Sequence, residues 1–143
     1  MKDFHEFRNS LTEAKKKPAK RNGEDYTDEM VEGEFRALSD YDRSRSMTCY
    51  IKISDIKKLN KNSVKKMSDE KREEMYDLLQ DDYELLDDLH AAYANESMNQ
   101  QDWLDDAEPS QKKYVRQDIK YLEKTVSKIK GHMKLILKHE QFL

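Results

Sequence analysis

The sequence predicts an all-α protein, and three observations predict it. From Val115 through Ile119, Leu122, Val126, Ile129 and Met133 to Ile136, apolar residues alternate four- and three-residue steps without a break, the seam of a coiled coil. A second run, Met75, Leu79, Asp82, Leu86, Leu89 and Tyr93, keeps the same spacing with one acid interrupting it. Strand-like composition is confined to a stretch around residues 47–53, with no partner strand visible elsewhere. Each seam needs a cover and the other is the nearest one. The expected architecture is therefore a small helical domain on an antiparallel hairpin of about residues 68–95 and 109–140. A homodimeric coiled coil is the alternative cover.

The remaining elements follow in chain order. Phe4, Phe7 and Leu11 recur at helical spacing, which gives a short amphipathic helix at the N-terminus. Lys15, Lys16, Lys17, Lys20 and Arg21, with Pro18 and Gly23 among them, cannot continue a packed element, so residues 14–26 read as a flexible basic linker. Thr27 before Asp28 and Glu29 starts a helix whose apolar face is Met30, Val31, Phe35 and Leu38. Around residues 47–59 the β-branched and aromatic residues suit a strand, whereas Ile53, Ile56 and Leu59 suit a helix; helix is favoured for want of a partner strand. Ser68 with Asp69 and Glu70 caps the first hairpin helix, which runs to about residue 95. A loop at 96–108 carries the only tryptophan, Trp103, and Pro109 opens the second helix. Gly131 inside that helix costs about 1 kcal/mol relative to alanine, which suits a bend or the close approach of another backbone. The chain thus divides into 1–13, a linker at 14–26 and a helical domain at 27–143.

Composition bounds what such a domain can do. With 143 residues, 40% charged and 36% hydrophobic, one thin core is expected. No run approaches the roughly 20 apolar residues of a membrane span, so no membrane partner is expected. The lone Cys49 excludes an intrachain disulfide and a CxxC-type metal site. The net charge of −3 conceals blocks: residues 73–111 hold thirteen acids and no Lys or Arg, and residues 112–143 hold nine basic and three acidic residues. Two readings follow. The acidic and basic helices attract each other within the hairpin, or an uncompensated acidic face repels DNA and engages a basic partner. For the second, Asp87, Asp88, Trp103, Asp105 and Asp106 are the partner-binding candidates. Trp103 with Leu104 is either an anchor of its loop on the hairpin or an exposed hot spot.

Enzymatic chemistry finds little footing. The three glycines, Gly23, Gly33 and Gly131, are too far apart for a phosphate-cradling loop. His5, His90, His132 and His139 form no i, i+4 ligand pair, and Asp102, Asp105, Asp106 and Glu108 lack the alternating ligands and glycine of an EF-hand. No catalytic residue, metal or cofactor is expected. Tyr76, Tyr83, Tyr93, Tyr114 and Tyr121 suit helix packing better than base stacking.

One segment points further. Met1, Lys2, Phe4, Glu6 and Phe7, followed by Leu11-Thr12-Glu13 before Ala14, resemble the capsid-targeting segment of internal head proteins from T-even-type tailed phages. The resemblance covers about a tenth of the chain, and residues 8–10 add about one helical turn to the shortest family versions. It implies that Phe4, Glu6, Phe7 and Leu11 carry the protein into the assembling prohead. It also implies that the prohead protease reads Leu11, Thr12, Glu13 and Ala14 and cuts after Glu13. Leu or Ile stands two residues before Glu nowhere else in the chain, which favours trimming over destruction. The implied partners are the prohead core and its protease, and the implied location is the inside of the capsid head after a passage through host cytoplasm. Delivery with the DNA and a host-protein target are further implications. A trimmed chain would begin with a basic arm in which Lys15, Lys16, Lys17, Lys20 and Arg21 could neutralise DNA phosphates without reading sequence; a solvated linker is the other reading. A prohead core component that oligomerises, and an acidic helical inhibitor of a host DNA-directed defence enzyme, are the functional alternatives. The other reading of residues 1–13 is an amphipathic helix packing on its own domain.

Overall fold

The computed structural model describes residues 19–26 and 47–143. The described residues form four helices: α1 (Ile53–Lys57), α2 (Lys61–Lys65), α3 (Asp69–Asp106) and α4 (Pro109–Glu140). They are all-α, and the long pair α3 and α4 packs as an antiparallel hairpin. None is long and apolar enough to cross a membrane. The segments expected to be helical at the N-terminus and from Thr27, and the linker up to Pro18, lie outside the described residues.

Capping chemistry sets the helix starts. Asn60 Oδ1 accepts from the amides of Asn62 and Ser63, both at 2.9 Å, and Ser63 Oγ accepts from Asn60 N–H, a reciprocal box that opens α2. Ser68 Oγ accepts from Lys71 N–H at 3.1 Å and opens α3.

The hairpin corrects the expected loop at 96–108. Residues 96–106 continue α3, and only Ala107 and Glu108 separate the two helices. The heptad does not end at Tyr93 but turns polar: Glu96, Ser97 and Gln100 occupy the next seam positions and are buried, with Gln100 Nε2 donating to Glu96 Oε1 at 2.9 Å. The segment has no Gly or Pro to break it. The break comes at Pro109, whose ring excludes helical geometry from the residue before it, and Glu108 is extended at ψ 149°.

Two cross-helix contacts fix the register. Gln80 Nε2 donates to Glu140, and Gln101 Nε2 donates to Glu123 at 3.4 Å. Leu79 therefore sits at the open end of the hairpin and Leu122 near its closed end. The expected burial of Leu122 and Ile129 holds, but the longer α3 moves Leu122 toward the 97–101 turn and away from Leu79.

A second layer covers the open end. Residues 47–51 are extended rather than helical, and the missing partner strand is the end of the segment read as linker. Gly23 N–H donates to Cys49 O (2.9 Å), Cys49 N–H to Glu24 O (2.8 Å) and Tyr26 N–H to Met47 O (3.1 Å), around an isolated antiparallel bridge between Asp25 and Thr48. A Cβ at residue 23 would lie 2.6 Å from Ile51 O, so the close approach of the two strands requires glycine. Tyr26, Cys49, Ile51, Ile56, Leu59 and Val64 from this layer join Leu79, Leu86, Leu89, Leu122, Ile129 and Ile136 in one core.

Candidate interaction surface

Polar side chains from the hairpin hold the covering layer in place. Asp82, the acid that interrupts the α3 seam, is fully buried and accepts from Tyr50 N–H at 2.8 Å and Ile51 N–H at 3.0 Å. Glu24 Oε2 accepts from Ile53 N–H at 2.9 Å, satisfying an amide at the start of α1. Between them the two carboxylates take the N–H groups of Tyr50, Ile51 and Ile53, which the backbone pairing of residues 47–49 does not reach. Tyr93 Oη donates to Tyr26 O at 2.8 Å, and Tyr26 Oη shares a 2.8 Å hydrogen bond with His132 Nδ1 on α4. His139 Nδ1 donates to Leu59 O at 2.8 Å.

The electrostatics follow from burial. Desolvation pushes the Asp82 carboxyl up to about 6, against the lowering effect of its two backbone hydrogen bonds. Burial also raises the Tyr26 hydroxyl and the Cys49 thiol well above their ordinary values and lowers His132, which is therefore neutral at pH 7. A buried thiol with a raised pKa is a poor nucleophile, and Cys49 serves here as part of the core. Among the described residues no group of His, Cys, Asp and Glu is arranged to hold a metal ion. A cleft lined by Asp69, Arg72, Glu73, Tyr76 and Leu143 is open to solvent.

The outer faces of the hairpin carry the opposite charges. On α3, Glu70, Glu73, Asp77 and Asp81 are exposed and, at steps of three and four, share one face. Glu84 and Asp87 extend it. On α4, Lys113, Arg116, Lys120 and Lys124 are exposed on the face away from the core. Lys58 pairs with Asp55 and Arg72 with Asp69, both at 3.8 Å and each within one helical turn. Neither of these two pairs joins α3 to α4. Leu79, Leu86 and Leu89 of α3 and Leu122, Ile129 and Ile136 of α4 are fully buried, so the apolar seam holds the two helices together.

The candidate partner residues are spread along α3. Asp87 is exposed and Asp88 half-buried at mid-helix, whereas Asp105 and Asp106 are exposed at the C-terminal end, separated from them by about 25 Å of helix. Trp103 is 37% exposed and stands on a helix, not in a loop. Of the DNA-contact candidates, Lys20 is exposed. Arg21 is engaged: its guanidinium lies 4.0 Å from the Tyr50 ring centroid and donates to Thr48 O at 3.2 Å. Lys15, Lys16 and Lys17, the targeting residues Phe4, Glu6, Phe7 and Leu11, and the cleavage residues Thr12, Glu13 and Ala14 lie outside the described residues.

Sequence reading missed Asp82, Tyr26 and His132 as a linked set. The one available signal was the acid inside an otherwise apolar seam, a position where a carboxylate needs donors. No family model, curated protein or solved structure matches the chain.

Proposed function

We propose that the protein is a phage internal head protein, carried into the prohead by residues 1–13, trimmed between Glu13 and Ala14, and retained with the genome. The observation that carries this reading is the Met1-Lys2, Phe4, Glu6-Phe7 and Leu11-Thr12-Glu13-Ala14 pattern. Two features support it. Leu11-Thr12-Glu13 is the single site of its kind in the chain, and the cut falls upstream of Gly23, where the described backbone pairing begins. Trimming would thus leave the hairpin and its covering layer whole. The prohead core and its protease are the partners of this reading, and Lys15, Lys16, Lys17, Lys20 and Arg21 its DNA-contact candidates.

Intact-mass measurement on protein from mature particles tests it. The expected chain begins at Ala14, and Glu13→Ala leaves it full length. An untrimmed wild-type chain in mature heads, or none at all, overturns the reading. The exposed acids of α3 favour a second role for the packaged body, capture of a basic host protein. That capture would weaken as salt rises, since exposed charges are screened within about 8 Å at physiological ionic strength.

A further inference from the structure

We propose that the outer face of α4 docks on the outer face of α3 in a second copy of the chain, giving a salt-sensitive, open-ended assembly. The argument begins with spacing. Lys113, Arg116, Lys120 and Lys124 follow steps of three, four and four residues. Glu70, Glu73, Asp77 and Asp81 follow the same steps, so the two stripes match charge for charge when α4 of one copy lies parallel to α3 of the next. All eight side chains are exposed, and among the described residues no ion pair engages any of them.

A second copy is favoured over a foreign partner because it satisfies both stripes with one contact. Within a copy the hairpin helices are antiparallel, so a parallel match between copies requires successive copies to be inverted end for end. The contact is heterologous: each copy offers its α3 face to one neighbour and its α4 face to another, and the arrangement does not close on itself. Exposed ion pairs are individually weak, so association should demand low salt or the crowding of a confined space. The inference rests on the hairpin alone and stands whether or not the chain enters a phage head.

Sedimentation velocity of the full chain at low and high salt tests it. The wild type is expected to gain mass with concentration at about 25 mM salt and to return to monomer at about 500 mM. Lys120→Glu with Lys124→Glu should abolish the gain, as should Asp77→Lys with Asp81→Lys. All four changes in one chain should restore it, because the parallel register then sets each reversed pair opposite the other. Melting curves of the variants check that the surface changes leave the fold intact. A wild type that stays monomeric at low salt overturns the proposal, and so does a fourfold variant that fails to reassociate while remaining folded. A monomeric wild type that binds mixed-sequence duplex DNA and loses it with Lys120→Glu and Lys124→Glu also overturns it, assigning the stripe to nucleic acid.

Discussion

Asp82 on α3 accepts the backbone N–H of Ile51 at 3.0 Å from a position with no solvent exposure, tying the covering layer to the hairpin across 31 residues of chain. The same carboxylate takes Tyr50 N–H, so one side chain orders two amides of a segment that has a partner strand on one side only. A buried acid in an apolar seam looks like a defect in the heptad. Here it is the reason that an extended segment can pack on a helix without orphaned donors.

Asp82 also imposes a pH dependence. Its folded pKa, about 6, lies above the ordinary 3.8, so the folded chain keeps a proton in this window that the unfolded chain has released. The stability linked to that proton is fully present below about pH 4 and lost as pH rises through about 6, an upper estimate of about 3 kcal/mol. His132, lowered by burial, acts in the opposite direction, losing stability as acidification charges the unfolded imidazole first. Urea unfolding of wild type and Asp82→Asn at pH 4 and pH 7 separates the two. The stability advantage of wild type over the variant should be larger at pH 4, and an advantage independent of pH refutes this account.

Gly23→Ala should destabilise the chain by about 1–3 kcal/mol, because the new methyl meets Ile51 O at 2.6 Å and both contacting groups are backbone. Thermal melting measures the loss. An unchanged melting temperature would mean that the two extended strands are not held at the observed separation.

Gly131 behaves differently, although both glycines stand out in the sequence. Apart from its chain neighbours and the backbone of its own helix, nothing lies within 4 Å of a Cβ built there, so the close contact that a mid-helix glycine suggested is absent among the described residues of a single copy. Gly131→Ala is expected to stabilise α4 by about 1 kcal/mol through helix propensity and reduced unfolded-state entropy. A lower melting temperature would show that the position is under a constraint other than helix formation.

The apolar heptads made the hairpin legible, because Val115, Leu122, Ile129 and Ile136 can be buried only along one stripe. They could not show that the stripe continues through Glu96 and Gln100, since periodicity is scored on apolar residues and these positions are polar and still buried. The covering layer was illegible for a different reason. Residues 47–51 find their partner at residues 23–26, and a pairing across more than twenty residues leaves no local mark when one strand sits in a basic, glycine-containing stretch. The charge blocks were visible from counting alone. That Glu70, Glu73, Asp77 and Asp81 on α3 and Lys113, Arg116, Lys120 and Lys124 on α4 face outward required the structure.

The hairpin register can be tested directly by energetic coupling. If Leu122 packed on Leu79, trimming both would cost less, or more, than the sum of the single changes, as residues in contact share a cavity. The contacts of Gln80 with Glu140 and of Gln101 with Glu123 instead place Leu79 and Leu122 near opposite ends of the seam, separated by about 30 Å of helix. Leu79→Val and Leu122→Val should each cost about 1 kcal/mol, small enough to leave the double variant folded. Their effects should add to within about 0.5 kcal/mol in chemical unfolding. Ile129→Val paired with a conservative change at a facing α3 residue serves as the positive control, since neighbours in one core should depart from additivity. Coupling between Leu79 and Leu122 above about 1 kcal/mol would place them in contact and require a hairpin shifted by several turns.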